Sequence, residues 1–80
     1  MKISVDISLY PLQESYRASV KKFIDDIKDM PNTTVTVNAM STTLFGEYQD
    51  IMPALKKAML SSLQEIPQSI FVIKLSGGCH

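Results

Sequence analysis

Side chains able to bind a ligand alternate along the first stretch of the sequence. Asp6, Ser8 and Tyr10 occupy every second position between residues 2 and 10, and isoleucine, valine and leucine occupy positions between them. A period of two is typical of a β-strand with one buried and one accessible face. The accessible face of this first strand therefore offers a carboxylate, a hydroxyl and a phenol for hydrogen bonding. For Asp6, the alternative of a solvent-facing carboxylate on an open sheet stays open.

A second polar set lies on a predicted hairpin. The β-branched run over residues 33–37 is followed by turn-forming residues and by a second strand that ends near Glu47. With a loop centred on Met40 and Ser41, one face of the hairpin is apolar and the other carries polar groups and an aromatic ring. The pairs that follow from this register are Val37 with Leu44, Asn38 with Thr43, and Thr36 with Phe45. The polar face is a candidate ligand surface, and a water-exposed strand face rich in Thr is the simpler alternative.

The composition excludes several classes of function. Eight basic and eight acidic residues give a net charge of zero, and Arg17 is the only arginine. A surface that neutralises phosphates is therefore missing, and we expect no nucleic-acid partner. Cys79 is the only cysteine, so the chain has neither an internal disulfide nor a Cys-x-x-Cys metal site. We expect no metal and no cofactor beyond a bound ligand.

Eighty residues predict one small domain over residues 1–80, with a flexible tail over residues 77–80. The pair Cys79 and His80 follows two glycines in that tail, which gives it no fixed geometry for catalysis. We therefore expect a protein that is not an enzyme. The start of the sequence lacks the pattern of a signal peptide, and no apolar run approaches the roughly 18 residues of a membrane span. We expect a soluble, cytoplasmic protein without membrane insertion.

Apolar residues at helical spacing predict two helices that position these strands. The first covers residues 13–30, and its lysines and aspartates are predicted to form a solvated face. The second begins between residues 47 and 50 and runs to about residue 63. Asp50 as its N-cap would place Pro53 in the first turn, where a missing N–H costs nothing.

The last strand, predicted over residues 69–76, is apolar on both faces. Ile70 and Val72 lie on one face, and Phe71, Ile73 and Leu75 lie on the other. A single layer of helices covers only one face of a sheet. We therefore expect another copy of the chain to cover the second face, in a homodimer or homotetramer.

The order of elements predicts an α+β domain of the ferredoxin-like βαββαβ type. Right-handed crossovers give a four-stranded antiparallel sheet of order 4-1-3-2, with both helices on one face. Strand one then lies next to strand three, which gathers a polar set on the face without helices. Its members are Asp6, Ser8, Tyr10, Thr43 and Phe45, flanked by Asn38 and Thr36. Such a set suits a flat, polar molecule that can carry a positive charge.

Two stretches of the sequence resemble a known family. They are Ile7-Ser8-Leu9-Tyr10-Pro11-Leu12 and Ala39-Met40-Ser41-Thr42-Thr43-Leu44-Phe45-Gly46-Glu47-Tyr48. Together with their spacing, they resemble the thiamine- and hydroxymethylpyrimidine-binding proteins of the ferredoxin-like fold. The resemblance implies non-enzymatic binding of thiamine or its pyrimidine precursor, in uptake or salvage of the vitamin.

The resemblance also implies a set of site residues. By carry-over from the family, Ser8 and Tyr10 in the first stretch, and Ser41 and Thr42 in the second, line or support the ligand site. The best-known family members carry two such domains in tandem, whereas this chain holds a single copy. Two chains would therefore associate to recreate the pair, in agreement with the doubly apolar last strand. The alternative is a regulatory or structural oligomerisation module whose polar set serves only the interface between subunits.

Overall fold

The structure is a computed structural model that describes residues 1–12 and 16–78. In chain order, its elements are β1 (Lys2–Tyr10), α1 (Tyr16–Ile27), β2 (Thr34–Val37), β3 (Thr42–Glu47), α2 (Tyr48–Glu65) and β4 (Ile70–Ser76). The four strands form one antiparallel sheet in the order β2-β3-β1-β4. This confirms the predicted ferredoxin-like α+β fold and its sheet order.

The core lies between the sheet and the two helices. Alternate residues of β1, namely Ile3, Val5 and Ile7, are at most 2% exposed, as the period of two predicts. They pack in one cluster with apolar residues of β3 and of both helices, which are Leu44, Phe23, Ile27, Met30, Ile51, Leu55 and Ala58. The opposite face of the sheet carries the polar residues of β1. Within the described residues, neither helix is long and apolar enough to cross a bilayer.

The first helix ends earlier than its apolar pattern predicts. The predicted start over residues 13–15 lies outside the described residues, and α1 ends at Ile27 instead of residue 30. Pro31 disfavours helical geometry at the residue before it, and Asn32 adopts a left-handed conformation with φ of 54°. Met30 nevertheless stays buried, because the turn folds it back onto the core.

The second helix begins directly after β3, which corrects the conditional N-cap at Asp50. Glu47 is the N-cap, and the backbone N–H of Tyr48 donates to the carbonyl oxygen of Met1 at 2.8 Å. Pro53 consequently lies inside the helix rather than in its first turn. Because proline has no N–H, the carbonyl oxygen of Gln49, four residues earlier, has no hydrogen-bond donor within the helix. Gln49 and Pro53 are both exposed, so water can donate to that carbonyl oxygen.

The register of the hairpin differs from the predicted one by two residues. Thr36 lies opposite Thr43, and Val35 opposite Leu44, so the predicted pair of Val37 with Leu44 is wrong. The loop between the two strands covers residues 38–41, and the backbone N–H of Asn38 donates to the carbonyl oxygen of Ser41 at 2.8 Å. Asn38 therefore belongs to the loop and does not face Thr43. A shift of two residues keeps every side chain on its predicted face.

The charged surface of α1 is solvated, as predicted. The Lys21 and Lys28 ammonium groups each lie 3.1 Å from the Asp25 carboxylate. Hydrogen bonds from Lys21 and then Lys28 hold the pKa of Asp25 below its ordinary value. Because all three side chains are exposed, these ion pairs contribute little to folding.

Gly46 fixes how closely the turn after α1 approaches β3. A Cβ at this position would lie 2.9 Å from the carbonyl oxygen of Asn32 and 3.3 Å from the Cα of Thr33. These contacts are with backbone atoms, which cannot move aside as a flexible side chain can. Only glycine allows this approach of two backbone segments.

We predict that Gly46→Ala lowers the free energy of unfolding by about 1–3 kcal/mol, because the added methyl group overpacks this contact. Denaturant unfolding followed by circular dichroism measures the change. Gly78→Ala is the matched control, since a Cβ there meets nothing within 4 Å. Equal free energies of unfolding for the two variants would show that the turn at Asn32 can shift to accommodate the methyl group without a loss of stability.

Candidate functional site

A mismatch between strand lengths creates the first candidate site. On its β4 side, β1 is paired through Tyr10, which lies opposite Ile70. On its β3 side the pairing stops at Ile7, opposite Thr42. The last three residues of β1 therefore have no strand beside them on that side. The loop over residues 38–41 lies there instead, and the Ser8 hydroxyl donates to the carbonyl oxygen of Met40 at 3.0 Å.

The space beside the end of β1 is a cavity of about 400 Å³, here named the motif cavity. Its walls come from three parts of the chain: residues 7–12, the α1 side chains Val20, Phe23 and Ile24, and residues 38–42 of the hairpin. Phe23 is buried and packs against Phe71 of β4, with ring centroids 5.1 Å apart. The walls are mostly apolar, with a few hydroxyls and one amide, which is the usual make-up of a small-molecule site.

Five of the eight predicted site residues line the motif cavity. These are Ser8, Tyr10, Asn38, Ser41 and Thr42. Tyr10 is 48% exposed, whereas Thr42 is only 5% exposed on the helix-facing side of the sheet. The cavity thus combines an exposed aromatic residue at its rim with one buried hydroxyl. All four residues carried over from the family resemblance are in this group.

The other three predicted residues line a groove on the face of the sheet without helices, here named the open-face groove. Asp6, Thr43 and Phe45 border it together with Thr36 and Lys74, and its volume is about 600 Å³. In the sheet, Asp6 lies opposite Thr43 on one side and opposite Lys74 on the other.

Positive charge is already present in this groove. The Lys2 ammonium lies 5.6 Å from the centre of the Phe45 ring, within the range of a cation–π contact. Lys74 adds a second ammonium group beside the single carboxylate of Asp6. The groove is therefore poorer for a cationic ligand than Asp6 and Phe45 suggest by themselves.

The structure separates what the sequence placed on a single surface. Thr42 and Thr43 are neighbours in β3, so the strand pleat points their side chains to opposite faces. Residues 38–41 lie beyond the end of the sheet, next to the motif cavity and away from the open-face groove. Asp6, Thr43 and Phe45 thus do not share a cavity with the other five predicted residues.

The sequence pattern did not predict several residues of these surfaces. Val20, Phe23 and Ile24 recur at helical spacing, which predicts the inner side of a helix, and nothing in a helical period shows that this side also borders a cavity. Lys74 could have been found, since it alternates with Ile70 and Val72 along β4 and must share their face.

The described residues of the motif cavity offer hydrogen bonds and aromatic surface. Across residues 1–12 and 16–78, no three His, Cys, Asp or Glu side chains are close enough to hold a metal ion. Cys79 and His80 lie outside the described residues. What the cavity can do is accept a flat molecule with polar edges.

Comparison with known proteins identifies a family. The family described as thiamine-binding protein matches the chain over residues 5–77. No curated protein matches the sequence significantly.

Solved structures share the fold over nearly the whole chain. A Streptococcus pneumoniae protein has a TM-score of 0.88 at 26% identity, with 99% of this chain and 89% of that chain covered. A hypothetical protein from Methanocaldococcus jannascii has a TM-score of 0.82 at 29% identity, covering 98% and 81%. A Thermotoga maritima protein, provisionally assigned to thiamine biosynthesis or salvage, has a TM-score of 0.81 at 22% identity, covering 95% and 83%.

We predict that Ser8→Ala loosens the hairpin loop, because it removes the hydrogen bond to the Met40 carbonyl. The free energy of unfolding should fall by about 1 kcal/mol. The backbone N–H of Asn38, which donates to the Ser41 carbonyl within the loop, should exchange its hydrogen faster.

Hydrogen exchange followed by NMR measures this effect. Ser4→Ala is the control, since Ser4 lies on the same face of β1 and the described structure gives its hydroxyl no hydrogen bond. Unchanged exchange at Asn38 in the Ser8 variant would show that the loop is held by other contacts.

Proposed function

Because the chain belongs to the thiamine-binding protein family, we propose that it binds thiamine, or the hydroxymethylpyrimidine part of it, without catalysing a reaction. The biological role that we propose is uptake or salvage of the vitamin. One observation carries the proposal: residues from both stretches that resemble the family, far apart in sequence, line one cavity.

The motif cavity fits the pyrimidine ring. Its volume lies in the range of small-molecule sites, and its apolar walls can cover both faces of a flat ring. An aminopyrimidine presents an amine that donates and ring nitrogens that accept hydrogen bonds. The hydroxyls of Ser41 and Thr42 and the amide of Asn38 can satisfy both kinds of group.

Ser8 and Tyr10 have different roles in this proposal. The Ser8 hydroxyl already donates to the Met40 carbonyl, so it positions the loop and keeps only acceptor capacity for a ligand. The Tyr10 ring lies at the rim, half exposed, and supplies an aromatic surface and a phenol to the entering molecule.

The thiazolium of thiamine carries a permanent positive charge, for which Asp6, Tyr10 and Phe45 are the candidate partners. Phe45 is already in contact with Lys2, and Asp6 lies opposite Lys74. Tyr10 is thus the best-placed partner for the cation. We therefore propose that the pyrimidine provides most of the binding free energy.

We further propose that a second copy of the chain covers the open face, in a homodimer or homotetramer. Tyr10, Ile70 and Val72 form an apolar end of this face, and each is between 47% and 49% exposed. The same exposure also supports the second candidate function, an oligomerisation module without a ligand. In that case, side chains of the partner would occupy the motif cavity.

Calorimetric titration of the purified chain separates the two candidates. We expect thiamine and hydroxymethylpyrimidine to bind with dissociation constants within about tenfold of each other, because the shared ring fills the cavity. Both should raise the melting temperature. Neither heat nor a thermal shift at millimolar ligand would favour the oligomerisation module.

We predict that Tyr10→Ala weakens ligand binding about tenfold, or ~1.4 kcal/mol, through loss of the aromatic surface at the rim. The same titration measures the change, with circular dichroism as the check on folding. Tyr48→Ala is a matched control, because Tyr48 is also 48% exposed but lies at the start of α2. Equal affinities of the two variants would remove Tyr10 from the site.

A further inference from the structure

The lining of the motif cavity has no charge. Among the described residues that border it, none is lysine, arginine, histidine, aspartate or glutamate. Residues 13–15, which follow Leu12 in the sequence and lie outside the described residues, are Gln13, Glu14 and Ser15, so they supply no cation either. Proteins hold phosphate groups with arginine, lysine or the free N–H groups at the start of a helix. The described lining offers neither of these two side chains.

The helix α1 borders the cavity with apolar side chains and not with free N–H groups. It starts at Tyr16, and its described lining residues are Val20, Phe23 and Ile24. Only the first four N–H groups of a helix lack a partner inside it, so from Val20 onward each backbone N–H donates within α1. Residues 17–19, which follow Tyr16, do not line the cavity.

The cations of α1 lie beside a different space. Arg17 and Lys21 are exposed and border a hollow of about 240 Å³ on the helix, together with Val20 and Ile24. The two apolar side chains border both the hollow and the motif cavity, whereas the two cations border only the hollow. The Lys21 ammonium is also paired with the Asp25 carboxylate at 3.1 Å.

At the rim of the cavity, the aromatic ring of Tyr10 favours one sign of charge. The face of an aromatic ring is negative, so it attracts a cation and repels an anion. The cation of the open-face groove, Lys74, lies opposite Asp6, four residues along β1 from Tyr10. At the rise of a β-strand this is about 13 Å, so the Asp6 carboxylate is much nearer to Lys74 than the rim is.

Ligand chemistry turns this asymmetry into selectivity. In thiamine, a methylene of the pyrimidine carries the cationic thiazolium. In the phosphate ester of hydroxymethylpyrimidine, the same methylene carries a phosphate with a charge of about −1.5 to −2 at neutral pH. With the pyrimidine in the cavity, both groups reach the rim at Tyr10. The cation meets an attractive ring face there, and the phosphate loses water without gaining a partner.

We propose that the motif cavity selects its ligand by charge, an inference that rests on the proposed function. It accepts hydroxymethylpyrimidine as the free alcohol and thiamine as the cation, and it excludes the phosphate ester of hydroxymethylpyrimidine. A phosphate on the far side of the thiazolium, as in thiamine monophosphate, lies beyond the rim in water and is tolerated. The position of the phosphate therefore decides whether a ligand binds.

Calorimetric titration of the purified chain with these four compounds tests the proposal. We expect the phosphate ester of hydroxymethylpyrimidine to bind at least about tenfold more weakly than the alcohol, or ~1.4 kcal/mol. Thiamine monophosphate should bind with a dissociation constant within about threefold of that of thiamine, because its phosphate stays hydrated and exposed charges interact weakly.

A cation added at the rim should reduce the selectivity. Met40 lines the cavity and is 82% exposed, so Met40→Lys places an ammonium group at the mouth without burying it. The ratio of the dissociation constants of phosphate ester and alcohol should narrow about fivefold, and added salt should weaken this gain. Leu60→Lys is the matched control, because it adds the same charge at an exposed apolar position of α2, outside the cavity lining. It should leave the ratio unchanged, with circular dichroism as the check on folding.

The outcomes separate the selectivity from the proposed function. Equal affinities for the alcohol and its phosphate ester would overturn the selectivity and leave the function standing. Binding of the ester that Arg17→Ala abolishes would overturn it as well, and would assign the phosphate to the hollow beside α1. An unchanged ratio in folded Met40→Lys would overturn the position of the phosphate at this rim. If neither hydroxymethylpyrimidine nor thiamine binds, the proposed function fails, and the selectivity fails with it.

Discussion

The unequal pairing of β1 on its two sides is the constraint from which the candidate site follows. The strand has nine residues, and β4 matches it to the end, whereas β3 begins opposite Ile7. Backbone polar groups near the end of β1 must still find partners. The hairpin loop lies where a longer β3 would have been and accepts a hydrogen bond from the Ser8 hydroxyl, and a cavity remains next to the loop and α1. A longer β3 would fill this space and remove the site.

The pleat of the strands divides the polar residues between two surfaces that differ in charge and polarity. The motif cavity has mostly apolar walls with hydroxyls and an amide, which favours a neutral, flat ring. The open-face groove holds the charges of Asp6 and Lys74, with Lys2 over the Phe45 ring. The two surfaces therefore suit chemically different groups.

The proposed association and the proposed ligand binding meet at the end of β1. Tyr10 lies at the rim of the motif cavity and opposite Ile70, the first residue of β4. A domain of this size buries a modest share of its surface, so covering β4 would add stability that one copy lacks. A copy of the chain that covers the start of β4 would therefore also lie close to the aromatic residue at the cavity rim.

The sequence by itself determined the elements, their order in the sheet and the face of each side chain, because these depend on local periodicity and on the handedness of crossovers. The family followed as well, from the stretches around Tyr10 and Ser41. The end of α1, the N-cap of α2 and the hairpin register were decided by tertiary contacts, such as Met1 with Tyr48 and Gly46 with the turn at Asn32. The strand pleat alone places Thr42 and Thr43 on opposite faces of the sheet, but it does not predict the cavity beside Thr42. A cavity depends on where strands of unequal length stop and what lies beside their ends, and periodicity carries no such information.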